Sequence, residues 1–162
     1  MNWRRGLALT TAFLILVILH YTIRPLLAWR TPIDFLVIGV LLLSVRIRPG
    51  GAAFLGFLTG LVSDSLTPAT LGAGALAMSV VGFTASWLRA VIFADNVVLH
   101  AFFFFVGKWA FDLIYIIVAR GAPPMELLVQ ATVWSPLSAA LTAAAGVFVM
   151  LAYRMGLDPQ HA

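Results

Sequence analysis

Six apolar runs, separated by short polar breaks, occupy almost all of this 162-residue chain. They fall at about residues 6–23, 31–47, 51–66, 71–93, 97–118 and 125–153, and a helix needs about 20 apolar residues to cross the hydrocarbon core of a bilayer. Six crossings would use about 120 residues, which leaves no room for a soluble catalytic domain. The runs are apolar on every side. Barrel strands would alternate polar and apolar residues instead, whereas helices satisfy their own backbone groups in lipid. The expected fold is an all-α integral membrane protein: one transmembrane domain over 1–162, built as a six-transmembrane-helix bundle. With 62% hydrophobic and only 10% charged residues, the chain is neither an ordinary soluble globule nor a disordered one.

The start imitates a signal peptide, with Arg4 and Arg5 ahead of an apolar stretch over 7–19. No small-x-small cleavage pattern follows, so 6–23 is read as a retained first helix. Thr31-Pro32-Ile33-Asp34 resembles a helix start, with Thr31 as cap, Pro32 at the first helical position and Asp34 favouring the positive end of the dipole. Pro123-Pro124 breaks the chain before the last run, Pro136 is expected to kink it, and the tail from 156 to 162 is expected to be loose.

Charge gives an orientation. With six spans both termini share a side, and that side collects Arg4, Arg5, Arg46, Arg48, Arg89 and Arg154. The other side collects Arg24, Arg30 and Arg120. The excess places both termini in the cytoplasm. Trp3, Trp87 and Tyr153 then suit the inner interface, and Tyr21 and Trp29 the outer one. The net charge of +4 is scattered along the chain, so nucleic acid is not an expected partner; lipid is.

Few residues can carry chemistry. The chain has no cysteine, which excludes disulfides, thiolate nucleophiles and cysteine metal sites. Lys108 lies near the middle of the fifth run, where a charge costs about 2.5–3.5 kcal/mol on insertion scales. Asp112 follows one helical turn later on the same face. The two form either a structural ion pair or a specific contact to a partner or ligand. Asp64 ends the third run, where the helix dipole disfavours a carboxylate, and the N–H groups opening the fourth helix near Gly72 would rescue it. Gly56 and Gly60 form a small-xxx-small pattern that lets helix backbones approach closely, and Ala139, Ala143, Ala144 and Gly146 suggest a second smooth patch.

Enzyme readings fail on motif. Asp64 and Asp112 lack the Gly-x-Gly-Asp of intramembrane aspartyl proteases, and no Gly-x-Ser-x-Gly elbow occurs. His20, His100 and His161 lack metal-ligand spacing, and His20 and His100 are read as interface residues. Gly72-Ala73-Gly74-Ala75-Leu76-Ala77 mimics a dinucleotide fingerprint but follows no strand. Neither catalytic residues nor a metal or cofactor is expected.

The middle of the chain carries a resemblance. Thr31-Pro32-x-Asp34 precedes Val45-Arg46-Ile47-Arg48-Pro49-Gly50, then Gly56-x-x-x-Gly60-Leu61-x-x-Asp64, then Leu71-Gly72-x-x-Ala75-Leu76. This order resembles the MreD family, the rod shape-determining membrane proteins of bacteria, over 31–88. The resemblance implies a non-enzymatic inner-membrane subunit of the cell-wall elongation machinery. Its implied partners are MreC, the filament protein MreB, RodA and a class B penicillin-binding transpeptidase. The family is similar in fold to the substrate-binding S-components of energy-coupling-factor transporters, which makes a small-molecule-binding transporter subunit the alternative.

Overall fold

From Phe35 to Leu41 the chain carries no polar side chain, and a helix that is apolar all round must be enclosed on all sides. The computed structural model describes residues 3–23, 33–88, 96–119 and 123–157, and in it this segment is the axis of a helical bundle. Helix α2 (Phe35–Ser44) is buried continuously from Phe35 through Leu41. It is touched by α1 (Trp3–Ile23), α3 (Pro49–Asp64), α4 (Ala73–Trp87), α5 (Val97–Ala119) and α7 (Ser135–Leu157). A short α6 (Pro124–Val129) runs through a π-helical turn (Gln130–Trp134) into α7. No strand occurs among the described residues.

The start of α2 differs from the expectation. Asp34 itself is the N-cap, its carboxylate accepting from Val37 N–H at 3.3 Å. Thr31 and Pro32 lie outside the described residues. The helix also stops early, at Ser44 rather than 47. Pro49 disfavours helical backbone in the residue before it, and Arg48 is extended with ψ 151°. The result is a ten-residue helix, about 15 Å long. The other end of the chain is longer than expected: α7 continues to Leu157, and 158–162 lie outside the described residues.

Among the described residues, two helices are long and apolar enough to cross a membrane, α5 and the rod Pro124–Ala152. Large apolar side chains such as Phe54, Phe83, Val98, Phe102 and Phe148 are exposed on the outer faces of the bundle.

The tightest packing lies between α3 and α4. The buried positions of α3 are Ala52, Gly56, Gly60 and Asp64, one stripe at four-residue spacing. A Cβ at Gly60 would lie 2.5 Å from Ala75 Cα, and one at Gly56 would run into the Met78 carbonyl. Glycine here is a requirement of backbone-on-backbone contact. The corner beyond it is closed by Asp64, only 2% exposed. Its Oδ2 accepts from Gly72 N–H at 2.9 Å and from Ala75 N–H at 3.0 Å. Two orphan donors at the start of α4 are thus satisfied by the carboxylate that ends α3. Gly72 supplies the left-handed backbone of the turn, with φ 97°. Asp64→Ala strands both donors and should destabilise the protein by about 1–3 kcal/mol. Asp64→Asn keeps an acceptor and should lose less. Thermal melting of the two variants checks the order, and equal melting points would remove the capping role.

Candidate functional site

Charged side chains inside an apolar bundle survive only where opposite charges and hydrogen bonds meet them. Lys108, 5% exposed at the middle of α5, meets two carboxylates. Its ammonium lies 2.5 Å from Asp112 Oδ1, one turn along the same helix. It lies 3.5 Å from Asp34 Oδ2, at the head of α2. The Phe111 ring stands 4.9 Å from the ammonium, within the range of a cation–π contact. On the far side of Asp34, His20 Nδ1 of α1 comes within 3.5 Å of Oδ1. The charged groups run in a row, Asp112, Lys108, Asp34, with the His20 imidazole at the end.

Asp34 is held from a third direction. Its backbone N–H donates to the Thr142 hydroxyl of α7 at 3.2 Å. The start of α2, the end of α1 and the middles of α5 and α7 therefore converge on one residue, Asp34. That convergence places the row on the wall of a cavity of about 480 Å³. Asp64, Tyr21, Tyr115, Gln130, Trp134, Ser135 and Ser138 also line it. Tyr115 Oη donates to Thr70 Oγ1 at 2.9 Å and ties α5 to the α3–α4 corner.

The π-helical turn forms part of this wall. Ser135 N–H reaches back five residues to the Gln130 carbonyl. Pro136, which follows, has no N–H, so the Ala131 carbonyl cannot be taken up by residue 136. The Trp109 indole N–H reaches it instead, at 3.4 Å. The irregularity expected at Pro136 is thus spread over the preceding turn, and it brings Gln130, Trp134 and Ser135 to the cavity. Such π turns occur often at functional sites.

Of the residues singled out from sequence, Lys108, Asp112 and Asp64 all line this cavity. Gly56 and Gly60 face α4 and belong to helix packing. Gly72 caps α4. His20 and His100, read from sequence as interface residues, are both buried inside the bundle, each being 1% exposed. His20 faces Asp34, and His100 Nδ1 pairs with the Asn96 carbonyl at 2.7 Å. His161 lies outside the described residues. His20 and Asp34 are the site members that sequence reasoning missed. The weak signal was a lone imidazole and a lone carboxylate, one closing α1 and the other opening α2, across a short connection. Among the described residues, no three His, Asp or Glu side chains are grouped to hold a metal.

Comparison with protein-family models, curated proteins and solved structures gave no match to this chain.

Proposed function

We propose that this chain is a six-span bacterial inner-membrane protein with both termini in the cytoplasm, a non-enzymatic scaffold of cell-wall elongation similar to MreD. In this reading it docks the transmembrane helix of MreC and helps position RodA, a class B penicillin-binding transpeptidase and MreB. The observation that supports it is the α3–α4 corner. The motif that carries the resemblance closes into one structural unit, with Gly56 and Gly60 against the backbone of α4 and Asp64 on the N–H groups of Gly72 and Ala75. The short α2 takes its place among the spans by being wrapped in protein rather than lipid. Because the small-residue stripe is used inside the chain, the partner helix meets an outer apolar face. The α3–α4 hairpin offers Phe54, Phe57 and Phe83 there.

The test is affinity purification of the tagged chain from its host, with depletion followed by microscopy. Recovery of MreC together with loss of rod shape is the expected result. The cavity favours one other reading, a transporter S-component. Recovery of a coupling ATPase module without MreC, in cells that keep their shape, would replace the scaffold reading with that one.

A further inference from the structure

The buried polar side chains of the cavity wall divide unequally. Among the described residues they are His20, Asp34, Asp64, Lys108, Ser135 and Ser138. Lys108 stands between Asp34 and Asp112. Asp64 accepts from the N–H groups of Gly72 and Ala75. His20 faces Asp34; His20, Asp34 and Asp112 each hold a further interaction, and Ser138 has one of its own. Every charged group on the described wall is therefore engaged. Ser135 is the exception. It is 2% exposed, and its hydroxyl has no hydrogen-bond partner among the described residues.

The π-helical turn accounts for the exception. A helical serine can return its hydroxyl to the carbonyl four residues back. Here that carbonyl belongs to Ala131, and the Trp109 indole N–H reaches it instead. Buried hydroxyls are normally paired. A serine hydroxyl turns about a single torsion, so this one can meet a group inside the cavity without a shift of the backbone. The rest of the wall suits an apolar body. The Phe111 and Tyr115 rings stack with centroids 5.9 Å apart, and Leu66, Met78 and Ile116 line the same cavity. Its volume of about 480 Å³ is that of a small-molecule site, which is typically apolar with a few placed polar groups. An ion entering here would break an existing charge pair or stay without a partner, and both are costly. A neutral molecule meets neither cost.

We propose that this cavity binds a small neutral molecule, a ring carrying an amide, carbonyl or hydroxyl group, with that group hydrogen-bonded to Ser135 and the ring against the apolar wall of Phe111 and Tyr115. The site does not depend on the scaffold reading, because binding is a property of the purified chain alone and MreC recovery is silent about it.

The experiment uses the full chain in dodecyl maltoside and three molecules of one shape: benzamide, benzoate and benzamidinium, which are neutral, anionic and cationic at neutral pH. Thermal melting and tryptophan fluorescence are the readouts. A saturable rise in melting temperature is expected with benzamide, and none with either ion at the same concentration. Ser135→Ala removes the unpaired hydroxyl. It should leave the empty protein as stable as wild type or more stable, because the lost group made no bond. It should also weaken benzamide binding by about three- to tenfold, the net worth of one neutral hydrogen bond. A serine that served only the fold would give the reverse, a lower melting temperature with binding unchanged. A benzamide response that does not saturate marks partition into the micelle. That result, a response no larger than that of either ion, or a saturable response that Ser135→Ala leaves at wild-type strength would overturn the site.

Discussion

Lys108→Met should cost about 3–5 kcal/mol, the penalty for leaving buried charge without its partner. Methionine keeps an unbranched apolar stem and removes the ammonium, which stands 4.9 Å from the Phe111 ring. Asp34 and Asp112 are then left in the bundle without the cation that separates them. Asp112→Asn should cost less, because Lys108 retains Asp34. Lys108→Met combined with Asp112→Asn should recover part of the loss, since one carboxylate rather than two then loses its ammonium. Unfolding in mixed micelles, run as a double-mutant cycle, measures the coupling. If both single variants unfold with wild type, the row of charges contributes nothing to the fold.

That row shows how far local spacing carries. Lys108 and Asp112 are neighbours because an α-helix brings residues four apart together, and the pair is legible in any helix that contains it. Asp64 is legible for a similar reason: a carboxylate at a helix C-terminus needs donors, and the next helix start is eight residues away at Gly72. Asp34 is different. Its contacts come from α1, α5 and α7, and the hydrogen bond to Thr142 joins residues 108 apart. No periodicity encodes such a meeting. The same limit applies to helix lengths. Apolar runs marked the helices, but Asp34 as cap and Pro49 as breaker trimmed α2 to ten residues. Burial by neighbouring helices, rather than length, is what accommodates it.

Gly60→Ala should be among the most costly single-methyl changes in this protein. Overpacking a tight contact costs about 1–3 kcal/mol, and the top of that range applies because the new Cβ would meet the backbone of Ala75 and Gly74 rather than side chains that can turn away. Gly60→Leu should prevent the α3–α4 hairpin from closing and leave little folded protein. Gly50→Ala is the matched control. It lies at the start of the same helix with nothing within 4 Å of its Cβ position, so it should be neutral or more stable by up to about 1 kcal/mol. Thermal melting of the three variants, with folded yield by size-exclusion chromatography, tests the comparison. Equal melting of Gly60→Ala and wild type would show that the two backbones are not in contact.

A central helix sheathed by segments from both halves of the chain has a consequence for biosynthesis. While the ribosome is still making α5, the early helices lack the hydroxyl of Thr142 and the ammonium of Lys108, so Asp34 waits without either. Contacts this distant in sequence form slowly and late. The nascent chain must therefore carry an unfinished core until its last helix emerges, and products truncated before Thr142 should be recognised and degraded rather than accumulate as a smaller stable unit.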